Sequence, residues 1–213
     1  MDGGEIVSRL PAPGAADGAD GDRVSLGSPD LAPRFLLDGA AAGAASLAFG
    51  LPAGAVREAL CGFRPLPHRG EVVATVGMVK YLDDSKATNP HAALASVAGL
   101  QDVVLVAGGL AKGVDLSPLA AAAPRLHAVV AIGEAAPELG RVFHGLVPVV
   151  VEGSIERAVA AAHALASPDR TVVLAPACAS QDMFADYGER GDRFAAAARA
   201  LSEREERSHA DPG

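Results

Sequence analysis

From residue 71 onward, short apolar and β-branched runs alternate with alanine-rich stretches, and glycine-bearing polar loops separate them. Residues 71–75 and 78–82 flank Gly77 and predict a hairpin. Strand and helix then follow in turn: helix 90–99, strand 102–107, helix 116–123, strand 128–132, helix 135–143, strand 147–151, helix 155–166, strand 171–174, and a last helix over about 189–205. Repeated strand–helix units of this length predict an α/β fold: a Rossmann-like, mostly parallel sheet with right-handed crossovers and flanking helices. Ligands bind such sheets beyond the carboxyl ends of the strands. The polar loops at 83–89, 108–115 and 175–187 all follow strands, so they are expected to converge on one crevice.

The chain before that point is patterned differently. Residues 1–33 are rich in Gly, Ala, Pro and Asp with little periodicity, which predicts a loose leader with a short strand near 5–10. Residues 36–49 and 53–60 read as two short helices separated by Leu51-Pro52. Two small helices make a poor core alone, so 34–62 is expected to be the tail of a preceding domain. Gly62-Phe63-Arg64-Pro65-Leu66-Pro67 reads as a stiff, extended connection. The main domain is expected over 63–207, with a short tail at 208–213.

Composition narrows the function classes. Half of the 213 residues are apolar, but aromatics make up only 4% and Trp is absent, so the core must be built from Ala, Val and Leu. A net charge of −8 argues against a nucleic-acid partner, because little here would neutralise phosphates in bulk. Cys61 and Cys178 form no CxxC pattern, which argues against a disulfide scaffold and a structural zinc site. No run is long and apolar enough for a membrane span, and the acidic, polar N-terminus does not read as a signal peptide. A soluble cytoplasmic protein is expected.

The densest chemistry lies in Asp83-Asp84-Ser85-Lys86-Ala87-Thr88-Asn89-Pro90-His91. Asn89 suits a helix cap and Pro90 the first helical turn. Asp84, at a strand end, could take two ribose hydroxyls or simply cap the next helix, and spacing leaves these balanced. Lys86 could meet a phosphate or carboxylate, or be solvated. Thr88 could donate to an anion or close a local turn. Gly108-Gly109-Leu110-Ala111-Lys112-Gly113 lacks the spacing of a GxxxxGK[ST] phosphate loop and alone reads as a βα turn. Ser180 has no GxSxG elbow, so a carboxylate-binding role fits it better than a nucleophilic one. Arg69 ends the Pro-rich connection and suits a phosphate contact. His91, His127, His144 and His163 show no metal-ligand spacing. Cys178 sits in a small-residue corner and reads as packed.

Three blocks together resemble the C-terminal part of the Mur ligases. They are Leu66-Pro67-His68-Arg69 with Glu71; Asp84-Ser85-Lys86-Ala87-Thr88-Asn89; and Pro176-Ala177-Cys178-Ala179-Ser180 with Asp182, Phe184, Glu189, Arg190, Gly191 and Phe194. Within that family they match the branch that adds D-glutamate, since sister ligases and folylpolyglutamate synthases carry other residues in the second and third blocks. The resemblance runs from about Phe63 to the last helix, and residues 36–60 resemble the end of the family's central domain.

That resemblance implies ATP-driven amide formation in peptidoglycan synthesis. A carboxylate of UDP-N-acetylmuramoyl-L-alanine becomes an acyl phosphate and the D-glutamate amine attacks it. Asp84 would hold the adenosine ribose, Arg69 would reach the ATP phosphates, and Lys86 would serve the nucleotide or the incoming amino acid. Thr88, Lys112 and Ser180, with the backbone near Tyr187, would bind the D-glutamate carboxylates. The implied cofactors are ATP and magnesium, the partners are small molecules only, and the implied state is a monomer. The family's phosphate loop, magnesium-binding glutamate and carbamylated lysine do not occur in this sequence, so a truncated ligase, inactive alone, is expected. Asp186-Tyr187 stands where the family carries Asn-Phe. Two other readings remain: a non-catalytic nucleotide or amino-acid-binding module acting through a partner, and a dinucleotide-binding domain. The absence of GxGxxG after the first parallel strand argues against the last.

Overall fold

The computed structural model describes residues 7–8, 24–26, 33–166 and 168–210. The chain divides into two compact units, Met1–Pro65 and Leu66–Gly213.

In the first unit, strands β1 (Val7–Ser8) and β2 (Val24–Ser25) pair antiparallel, and helices α1 (Pro33–Ala48) and α2 (Ala53–Gly62) follow. Leu26, just past β2, is buried with Leu47 of α1 and Val56 of α2. A Cβ on Gly43 would stand 2.7 Å from the Leu26 side chain, so the missing side chain makes room for that leucine. The strand expected near 5–10 is present as β1. Its partner β2 was not foreseen, because two residues among Gly, Asp and Ser carry no period. The rest of the expected leader, at 1–6, 9–23 and 27–32, lies outside the described residues.

The second unit is an α/β layer structure. It runs β3 (Glu71–Val76), β4 (Val79–Asp83), α3 (Pro90–Val97), β5 (Val103–Gly108), a 3₁₀ helix (Ser117–Arg125), β6 (Leu126–Ile132), α4 (Ala136–Val142), β7 (Val149–Glu152), α5 (Ile155–Ala166), β8 (Thr171–Leu174) and α6 (Tyr187–Ala210). The six strands lie in the order β3-β4-β8-β5-β6-β7. Only the β3–β4 hairpin is antiparallel; β4, β8, β5, β6 and β7 run parallel. Every residue of β5 is buried, as a parallel strand covered on both faces requires.

The two faces are filled by alternate residues. Val103, Leu105, Ala107, Val129, Ala131 and Val173 pack with α3, the 3₁₀ helix and α4. Val104, Val106, Val130, Ile132, Val172 and Leu174 pack with α5 and α6. On that second side Tyr81 is fully buried, and its hydroxyl meets His163 Nδ1 at 2.7 Å, while His163 Nε2 lies 3.3 Å from Glu205 Oε1. Burial, with Glu205 nearby, raises the Tyr81 hydroxyl well above its ordinary titration range.

Two expectations change. The helix expected at 116–123 is a 3₁₀ helix at Ser117–Arg125. Leu119 and Ala122 are its buried residues and Leu116, just before it, is buried too, a repeat of three that matches 3.0 residues per turn, and Pro124 cannot donate an i→i−4 bond. The last helix is longer than 189–205 at both ends and takes in part of the expected tail at 208–213, whose residues 211–213 lie outside the described residues.

Candidate functional site

The loops after β4, β8, β5 and β6 meet at the carboxyl edge of the sheet, and their backbones are stitched together. Gly108 N–H donates to Pro176 O (2.8 Å), and Ala177 N–H donates to Ala87 O (2.9 Å). Leu110 and Ala179 exchange two hydrogen bonds of 2.9 and 3.1 Å. Glu134 N–H, after β6, donates to Asp182 Oδ2 at 2.9 Å. Gly109 makes the approach possible: it sits at φ 124°, and a Cβ there would stand 2.2 Å from Ala179 O.

Arg190 is the buried centre of this arrangement. It lies on the core-facing stripe of α6 with Phe194 and Ala198 and has no exposed surface. Its Nε donates to Ser85 Oγ (2.9 Å), its Nη2 to Ser85 O (2.8 Å) and its Nη1 to Cys178 O (3.2 Å). Ser85 Oγ in turn donates to Tyr187 O (2.7 Å). One guanidinium thus fastens the loop after β4 to the loop after β8 and to the start of α6. Burial pulls it down to about 10 from its ordinary 12.5. Burial likewise pushes the Cys178 thiol up to about 11, so Cys178 is packed rather than nucleophilic.

A second polar group lies beside it. Asp83, fully buried, accepts from Ser85 N–H (2.9 Å) and lies 2.7 Å from His68 Nδ1. Helix α6 passes close because Gly191 has no side chain; a Cβ there would stand 2.2 Å from His68 Nδ1 and 2.7 Å from Asp83 Oδ2. His68, Lys112 and Ala177 all carry positive φ (61°, 54° and 59°), so three of the four such non-glycine residues among those described flank these loops.

The residues expected from sequence fall as follows. Lys86 is half-buried, its N–H donates to His68 O (3.1 Å), and its Nζ stands 3.7 Å from the centre of the Tyr187 ring. Ser180 is buried, and its carbonyl accepts from Met183 and Phe184 N–H at 3.1 and 2.9 Å. Thr88 is exposed next to Asn89, whose Oδ1 accepts from Ala92 N–H at 2.9 Å and caps α3. Lys112 and Arg69 are exposed, Lys112 just beyond the Leu110–Ala179 bridge and Arg69 next to His68. Asp84 is brought to the same loop but its carboxylate turns inward to accept from Ser96 Oγ of α3. The carboxylate on the His68 side is Asp83, which the sequence reading passed over. Strand pleating explains the split. Val79, Tyr81 and Asp83 share the α6 face, while Leu82 and Asp84 share the α3 face.

Three cations (Lys86, Lys112 and Arg69), a capped helix start and the polar loops form a setting suited to anionic oxygens such as phosphate and carboxylate. A magnesium ion is not fitted in the same way, since no cluster of three or more His, Cys, Asp or Glu side chains among the described residues is placed to hold a metal. No helix among the described residues is long and apolar enough to cross a membrane.

A family profile described as "Mur ligase, glutamate ligase domain" matches residues 68–178, from His68 to Cys178 and so across all the stitched loops after β4, β5 and β6. The chain belongs to the Mur ligase family. Its curated relatives in the Mur ligase family include a UDP-N-acetylmuramoylalanine–D-glutamate ligase of Streptomyces avermitilis, 49% identical over 187 residues, covering 80% of this chain and 38% of that protein. Proteins of the same description from Frankia casuarinae and Burkholderia mallei are each 48% identical, over 172 and 160 residues, covering 79% and 74% of this chain and 36% and 32% of theirs. The chain thus spans about a third of the length of the curated relatives it matches. Among solved structures, the UDP-N-acetylmuramate–alanine ligase of Thermotoga maritima superposes with a TM-score of 0.61 at 14% identity, over 92% of this chain and 43% of that one. A murein peptide ligase from Psychrobacter arcticus gives 0.50 at 14% identity, over 82% and 38%. Both share the fold of this Mur ligase domain.

Arg190, Asp83 and the His68 ring are the structural members of the site that sequence reasoning left without a role. For Arg190 a signal existed: it is spaced four residues from Phe194 and eight from Ala198, a cation on an apolar stripe.

Proposed function

We propose that this chain carries the D-glutamate-binding end of an ATP-dependent ligase that joins D-glutamate to UDP-N-acetylmuramoyl-L-alanine. The observation that carries the reading is the 49% identity to a curated ligase of that description over 187 residues, 80% of this chain. In this reading Lys112, Thr88, Ser180 and the backbone at the start of α6 hold the two D-glutamate carboxylates and leave the amine free to attack. Arg69 and Lys86 meet the nucleotide phosphates. A ribose would compete with Ser96 for the Asp84 carboxylate. ATP, as co-substrate, would supply the phosphoryl group that activates the acceptor carboxylate. This chain's part is orientation of the nucleophile and stabilisation of anionic charge, two effects that supply much of the rate in such reactions.

Calorimetry on the full chain tests the reading. D-glutamate is expected to bind about tenfold more tightly than L-glutamate, and Lys112→Ala is expected to remove that binding while the thermal midpoint holds, because Lys112 is exposed. Equal binding of both enantiomers, or none, overturns it.

A further inference from the structure

Lys86 and Tyr187 come from different loops and meet at one point of the crevice. The Lys86 ammonium stands over the Tyr187 ring face, 3.7 Å from its centre. Among the described residues no carboxylate pairs with Lys86. The nearby acids are engaged with other groups. Asp83 meets His68 and Ser85, Asp186 accepts from Glu189 N–H, and Glu189 accepts from Ala185 N–H. Tyr187 is held at its backbone and at its ring. The Tyr187 carbonyl accepts from Ser85 Oγ, which Arg190 fixes, and the His68 ring stands edge-on to Tyr187 at 6.3 Å and 78°. His68 is fixed in turn by Asp83, and Lys86 N–H donates to His68 O.

We propose that the Tyr187 ring is a positioning element for Lys86, holding its ammonium over the crevice with its charge uncompensated and its donors available to an anionic ligand. This rests on the ligase reading above and gives Lys86 its place in it. The physical reason is the difference between an aromatic face and a carboxylate as a partner. A carboxylate would fix the ammonium but neutralise it and consume its donors. A ring face attracts the cation through its quadrupole, offers no lone pair, and binds more weakly than a charge-assisted hydrogen bond. A carboxylate or phosphate entering the crevice therefore takes the ammonium over from the ring. The gain is preorganisation: a flexible four-carbon side chain is gathered before the ligand arrives. The phenol hydroxyl has no part in this, so Tyr187→Phe is expected to behave as the parent chain and Tyr187→Leu is not.

The composition makes the test direct. The chain has three lysines, Lys80, Lys86 and Lys112, so lysine labelled with ¹³C at Cε gives three side-chain signals. Lys86→Met removes one and assigns it. That signal is expected to be shifted upfield by the ring current in the parent chain and in Tyr187→Phe, and unshifted in Tyr187→Leu. Affinity for D-glutamate and for tripolyphosphate, read by calorimetry, is expected to fall about threefold to fivefold in Tyr187→Leu and to stay unchanged in Tyr187→Phe, with the same urea midpoint in all three chains. An unshifted Lys86 signal in the parent chain, or equal affinities for Tyr187→Leu and the parent while Lys86→Met binds more weakly, overturns the positioning role and leaves the ligase reading standing. Failure of the parent chain to bind either anion overturns the ligase reading and the anion-presenting role with it, whatever the signal shows.

Discussion

Arg190 shows how much of this site depends on a single side chain. Its three donors satisfy Ser85 Oγ, Ser85 O and Cys178 O in a place without solvent. Arg190→Met leaves two carbonyls and a hydroxyl without that partner, and the unfolding free energy in urea is expected to fall by roughly 3 kcal/mol. Arg190→Lys is expected to recover less than half of it, since an ammonium on a flexible stem cannot span three acceptors held by a planar fork. Parent-like stability in Arg190→Met would mean that relief from burying the charge offsets the lost bonds. At this scale the sequence was half legible. The polar block at 83–89 announced itself by composition, and Asn89 and Pro90 as cap and first turn followed from residue type alone. Which of two adjacent aspartates faces His68 depends on the phase of β4, and a boundary drawn one residue short, at 82 rather than 83, hid it. Arg190 was hidden because a charge in a helix ordinarily reads as solvated.

At the scale of elements, the strand–helix alternation made the sheet legible, because covered parallel strands are apolar throughout and turn residues mark their ends. The 3₁₀ helix was not legible as such, since a short alanine-rich stretch satisfies either helical period until its buried face is known. The stitching of the loops was also out of reach, as it runs through backbone groups that any residue carries. Gly109 is the exception, where residue type and loop geometry are coupled. A Cβ there would meet a carbonyl, not a side chain that could move aside. Gly109→Ala is expected to break the Leu110–Ala179 bridge, destabilise the domain by about 2 kcal/mol or more, and raise hydrogen exchange at Leu110 and Ala179. Retained protection at both amides would refute the coupling.

For the whole molecule, buried titratable groups set the response to alkali. Cys178 keeps its proton in the fold up to about 11, while its ordinary value is 9.0. Its contribution to stability is therefore complete below pH 9 and is lost as pH rises towards 11. Tyr81 acts in the same direction from its ordinary 10.0 upward, and Arg190, lowered to about 10, acts in the opposite direction above that value. Between pH 9 and pH 10 Cys178 dominates among these three, and the unfolding free energy is expected to drop by about 1 kcal/mol. Urea titrations at the two pH values should show that drop in the parent chain and not in Cys178→Ala.

The strand order has a consequence for how the protein is made. β8, near the end of the chain, lies between β4 and β5 and is the one strand that joins them. Before it is synthesised, a growing chain holds a hairpin and a three-stranded piece, each with an open edge where β8 belongs. The site loops after β4, β5 and β6 hang on those two pieces, and the loop after β8 can be stitched to them only once β8 is in place. The ribosome must therefore deliver residues 171–174 before either edge is closed, and until then the nascent chain carries two adhesive edges into a crowded cell.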